Sequence, residues 1–204
     1  MTFDIKKITA AAVAAVAASS VMAADGTINF SGEIVTASCS ISSGAGANVT
    51  GGKGAQNVEV KLGKVSSDAI GSVADGQIAA GTNINLNLDC GNTADKLTTV
   101  KVRFDPNGGS GVDPKNVYLL KTTGTAKGVG IGIYDIDNKL LNLAANETFD
   151  APLVKTTTPG AAEGDPEVVN YSAKLALRAA YVKNGDPVKA GVANGTLPFT
   201  LTYE

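Results

Sequence analysis

Cys39 and Cys90 are the two cysteines of this 204-residue chain, and no histidine accompanies them. Without an imidazole there is no Ser-His-Asp or Cys-His relay to activate a nucleophile. The 19 carboxylates are scattered through loops and turns, so spacing gives no paired acid/base site. "GVGIGIYD" (128–135) has a glycine rhythm like a dinucleotide loop, but it continues as a strand instead of opening a helix. "DIDNK" (135–139) lacks the remaining ligands of a calcium loop and reads as a turn. No catalysis, metal or cofactor is expected. What chemistry remains is the oxidation of two thiols to one disulfide.

The start of the chain decides whether that oxidation is available. Lys6 and Lys7 precede an apolar run, "ITAAAVAAVAA" (8–18), and "SSVMA" (19–23) ends on a small residue. This is the pattern of a secretory signal peptide over 1–23, cut after Ala23, with Ala24 as the second choice. The run is too short and alanine-rich to span a bilayer, so no direct membrane insertion is expected. Export to an oxidising compartment makes a Cys39–Cys90 disulfide the default over two buried free thiols. Closing a loop of about 50 residues stabilises the fold by roughly 4 kcal/mol in the loop-entropy account. The net charge of −2 argues against nucleic acid or an anionic membrane as partner.

The elements that position these cysteines are strands. "TNINLNLDC" places Ile84, Leu86, Leu88 and Cys90 on one face, with Asn and Asp on the other. "LTTVKVRF" turns Val100, Val102 and Phe104 inward. "GVGIGIYD" alternates Val129, Ile131 and Ile133 with glycines and then turns at Asp137-Asn138. "SAKLALRAAYVK" (172–183) consists largely of helix formers. Its Tyr171, Ala173, Leu175, Leu177, Ala179 and Tyr181 nevertheless alternate, so it is read as a strand, because alternation reports burial and propensity is the weaker prior. Gly/Ser-rich stretches at 42–57, 105–116 and 158–166 read as surface loops, the first with no assigned role. The sum is an all-β sandwich.

Both ends carry more information. In "DGTINFSGEIVTASCSI" (25–41), Gly26, Ile28, Phe30, Gly32 and Ile34 share one phase, while Val35, Ala37, Cys39 and Ile41 share the other. Such a slip flips every following side chain to the opposite face. It marks either a bulge in one strand or a separate apolar strand ahead of the body. An unpaired apolar strand is a liability unless its partner lies in another molecule. At the other end, Leu197, Phe199, Leu201 and Tyr203 alternate with polar residues as far as Glu204.

These two ends resemble those of the pilin subunits of chaperone–usher fimbriae, the type 1 pilin family. "GTINFSGEIVTASCSI" is similar to that family's glycine, alternating apolar residues, second glycine and first cysteine. "GVANGTLPFTLTYE" is similar to its ending: Gly191 fourteenth from the terminus, an Ala-Asn pair, Phe199, Leu201 and the penultimate Tyr203. The resemblance implies an incomplete immunoglobulin-like β-sandwich, six-stranded and completed by a donor strand. It implies a donor extension over 24–34 and a pilin domain over 35–204. A periplasmic chaperone would fill the open groove, and the extension of the next subunit would replace it at an outer-membrane usher. In that scheme Gly26, Ile28, Phe30 and Gly32 form the inward face of the donor. Gly191, Leu197, Phe199, Leu201 and Tyr203 line the groove and chaperone contact, and the carboxylate at Glu204 meets basic chaperone residues. Pro198 departs from a regular strand, since it cannot donate to a ladder and belongs at an edge or bulge.

The expected function is that of a structural subunit, the major pilin, of an extracellular adhesive fimbria. Its partners would be identical or homologous pilins. A minor adaptor or tip subunit is the alternative within that family. A monomeric secreted β-sandwich is the alternative outside it; the N-x-[ST] triplets at Asn29, Asn48, Asn146, Asn170 and Asn194 would be its glycosylation sites, but a chain this rich in Asn, Ser and Thr yields such triplets by chance.

Overall fold

The computed structural model describes residues 39–53, 56–72, 81–162 and 165–204. Twelve strands are present among them: β1 Ser40–Ser43, β2 Ala47–Thr50, β3 Asn57–Val60, β4 Gly71–Ser72, β5 Thr82–Gly91 and β6 Thr99–Phe104, then β7 Leu120–Lys121, β8 Val129–Tyr134, β9 Thr148–Pro152, β10 Val154–Thr158, β11 Val168–Lys183 and β12 Phe199–Tyr203. The larger sheet runs β1-β5-β11-β8-β7, with β10 and β4 also paired to β11. The smaller sheet runs β12-β6-β9, and β2-β3 forms a separate hairpin.

The core lies between the two sheets. Ile84, Leu86, Leu88 and Cys90 of β5 join Ala173, Leu175, Leu177 and Ala179 of β11, and Val100, Val102 and Ala151 come from the smaller sheet. The alternating segments therefore form strands with the expected faces inward. β11 sits between β5 and β8, where burying one face outweighs the helix propensity of its Ala, Leu, Lys and Arg.

β8 is buried on both faces. Ile131 and Ile133 belong to the main core, and Val129, also buried, shares their phase. Gly130 and Gly132 face a second cluster of Leu119, Tyr134, Ala180 and Val182. A Cβ at Gly130 would stand 2.8 Å from the Leu119 Cβ, so the glycines let a loop pack directly onto the strand. The predicted turn is present: Asn138 is left-handed (φ 60°), and the Asp135 carboxylate accepts from the N–H groups of Asp137 and Lys139.

Two stretches read as loops are more structured. Residues 42–57 contain β2 and lead into β3, an amphipathic hairpin whose Ala47, Val49, Val58 and Val60 pack on the core. Within 105–116, Asp113 is 3% exposed. Its carboxylate accepts from the Lys115 and Asn116 N–H groups and from Asn184 Nδ2 at 2.8, 3.2 and 2.9 Å. Two of these bonds fix the shape of the loop, and the third fastens it to the end of β11.

Candidate functional site

β12 pairs with β6 on one side, in the antiparallel register Phe199↔Phe104, Leu201↔Val102 and Tyr203↔Val100. Glu204 and Thr99 exchange both backbone bonds at 3.0 Å, and Asp105 N–H donates to Pro198 O at 2.8 Å. Hydrogen-bonded pairs recur at every second residue of an antiparallel ladder. Pro198, Thr200, Thr202 and Glu204 therefore face β6. Phe199, Leu201 and Tyr203 aim their N–H and C=O groups at the opposite edge, where no strand pairs with β12 among the described residues. That edge is also apolar: all three side chains are half-buried against the core, as is Leu197 just before the strand.

Pro198 fits this geometry. Its missing N–H falls on the side facing β6, at the last rung, and the Asp105 carbonyl opposite accepts from Gly108 N–H at 3.2 Å. The outward row of donors is left intact. The strand itself begins at Phe199, two residues later than the alternation suggests.

β1 lies near the same edge, linked to it through Tyr203. Its Ser40↔Asp89 and Ser42↔Asn87 pairs face β5, which leaves Ile41 aimed outward. Ile41 N–H donates to Gln56 Oε1 and Ile41 O accepts from Gln56 Nε2, both at 2.8 Å. Two residues earlier, Cys39 N–H donates to the Tyr203 hydroxyl at 3.1 Å, which links β1 to the terminal strand. Cys39 is bonded to Cys90, so the disulfide anchors the start of β1 to the end of β5.

The predicted groove residues are thus partly brought together. Leu197, Phe199, Leu201 and Tyr203 line one edge. Gly191 lies elsewhere, beside 123–127, where a Cβ would come within 2.5 Å of Ala126 N. Val192 there bonds Thr125 and Ala126. A backbone carboxylate oxygen of Glu204 accepts from Thr98 and Thr99 N–H groups at 2.6 and 3.0 Å. The Glu204 side chain meets Lys101 Nζ at 2.6 Å. That hydrogen bond, chiefly, raises the Lys101 pKa above its ordinary value. The terminus therefore already has partners within its own chain. Gly26, Ile28, Phe30 and Gly32 lie outside the described residues.

Sequence reasoning missed Gln56 and the hydroxyl of Tyr203. Both act through contacts distant in sequence, and nothing in the local pattern signals them. Among the described residues, no group of three or more His, Cys, Asp or Glu could hold a metal ion, and no helix is long and apolar enough to cross a membrane.

The comparisons with known proteins show the family to which this fold belongs. The chain is 34% identical to Long polar fimbria protein A of Salmonella typhimurium over the full length of both chains. It is 32% identical to the Probable major fimbrial subunit LpfA of Escherichia coli O157:H7, again over the full length of both. It is also 32% identical to the Type-1 fimbrial protein subunit of Serratia marcescens, over 96% of each chain. Its fold is similar to a chain in the solved structure of a chaperone–usher pilus, with a TM-score of 0.51 and 20% identity over 89% of this chain and 96% of that one. The profile of the family described as Fimbrial protein matches residues 28–204. The chain belongs to the fimbrial protein family and is a structural subunit of a surface fimbria.

Proposed function

We propose that this subunit is the major, polymerising component of its fimbria, and that it assembles by accepting a donor strand from a second copy along the outer edge of β12. The observation that carries this reading is the outward row of backbone groups at Phe199, Leu201 and Tyr203. Strand addition needs such a row for its ladder and apolar pockets for its register. The reach of one side chain bounds the distance from β12 to β1. The Tyr203 side chain bonds the start of β1, and a tyrosine plus one hydrogen bond reaches at most roughly 9–10 Å, about two strand spacings. The proposal places one strand between them.

The donor is the segment over 24–34, with Gly26, Ile28, Phe30 and Gly32 facing inward. Before assembly a periplasmic chaperone covers the same edge, and the exchange takes place at an outer-membrane usher. The major rather than the tip role is supported by relatives such as the Probable major fimbrial subunit LpfA.

A peptide of residues 24–34 added to the subunit lacking them tests the reading. At a concentration a hundredfold above its Kd, the peptide stabilises the subunit by about 2.7 kcal/mol, which is roughly 5–10 °C in Tm at this size. A peptide carrying Ile28→Asp and Phe30→Asp leaves Tm unchanged. Equal shifts with both peptides, or none with either, contradict the proposal.

A further inference from the structure

The edge of β1 is occupied differently from that of β12. Ile41 presents one N–H and one C=O outward, and the carboxamide of Gln56 satisfies both at 2.8 Å. A carboxamide offers one acceptor and one donor side by side, as a neighbouring strand does at such a position. Gln56 directly precedes β3, and its hairpin is seated by Val49 and Val58 on the core. The hairpin is also tied to β5 beyond each end, by Gly44 N–H and Asn85 O at 2.7 Å and by the Thr82 hydroxyl and Lys61 O at 3.0 Å. These ties hold the base of the hairpin without calling on the Gln56 carboxamide.

We infer that Gln56 is a placeholder: its carboxamide stands in for donor main chain on the edge of β1 and is displaced from Ile41 when the donor enters. This rests on the assembly reading above. A donor lying between β12 and β1 competes for the same two Ile41 atoms. A side chain makes those two bonds and no others, whereas an entering strand extends the ladder along both edges. Until then the placeholder keeps the β1 edge from templating unwanted pairing. Gln56 is thus a positioning residue for assembly and touches the donor only as it leaves.

The test is exchange of the Ile41 amide in the mature chain, as dilute monomer and as assembled fibre, for the wild type, Gln56→Ala and Gln56→Glu. In the monomer, Gln56→Ala speeds Ile41 exchange by about tenfold or more, as expected for losing two part-buried bonds. Gln56→Glu, which still accepts from the Ile41 N–H, retains most of the protection. In the fibre, Ile41 is equally protected in all three, because the donor covers it. Equal exchange in wild-type and Gln56→Ala monomers overturns the placeholder. Faster exchange in Gln56→Ala fibres than in wild-type fibres shows Gln56 still bound there and overturns its displacement. Failure of the wild type to assemble contradicts the assembly reading and displacement with it, while the monomer comparison still decides whether Gln56 guards Ile41.

Discussion

Deleting Ala24 to Phe30 leaves a subunit that folds and is captured by its chaperone but adds to no preceding subunit. Among the described residues the core is built from Cys39 onward, and the proposed donor role gives the segment no part in holding it together. On the proposed assembly, the contact between subunits does depend on it. Burying Ile28 and Phe30 contributes about 1.5–3 kcal/mol each, so their loss lowers the association constant by roughly two to four orders of magnitude. The ladder to Phe199, Leu201 and Tyr203 goes with them. Electron microscopy of a strain carrying the deletion should show no rods, while the chaperone-bound subunit remains at normal yield. Rods of ordinary length would contradict the donor role.

The second large effect is on stability. Cys39→Ser or Cys90→Ser destabilises the subunit by about 2–5 kcal/mol, or roughly 4–20 °C in Tm. The bridge closes a sequence separation of 51 residues, and both cysteines are buried in the core. Beyond the loop constraint, it holds the residue whose N–H bonds the Tyr203 hydroxyl, so its loss also loosens the end of β12. Removing both cysteines together costs little more than removing either, because a single constraint is lost in each case. The denaturation midpoint and the chaperone-captured yield are the measurements. If neither changes in the two single variants, the bridge has no such role.

Most of the sandwich was legible because its strands bury one face each. Ile84, Leu86 and Leu88 alternate with asparagines, and Val100 and Val102 with charged or polar neighbours; the observed faces follow those patterns. β11 was legible for the same reason, against its helix-forming composition. The hairpin of β2 and β3 was not. Its apolar residues are four small side chains between glycine-rich turns, and the turns dominate the local composition. β8 was half legible: the valine and isoleucine face was plain, but the reason for its glycines is the loop at Leu119, which no local pattern reveals. At the candidate site, the apolar row from Leu197 to Tyr203 could be read from alternation. Which backbone groups point outward required the register to β6. The roles of Gln56, Asp113 and the Tyr203 hydroxyl rest on single contacts between distant segments, and a lone polar residue carries no periodic signal. The donor face at 26–32 could be read only as a phase change, and it remains a proposal.

Residue-resolved amide exchange along β12, compared between isolated subunit and assembled fibre, addresses the central claim most directly. In the isolated subunit, Thr200 and Thr202 should be protected by β6 while Phe199, Leu201 and Tyr203 exchange freely; in the fibre all five should be protected. If Phe199, Leu201 and Tyr203 are already protected in the lone subunit to the same degree as in the fibre, the sheet is complete without a neighbour and the account is wrong.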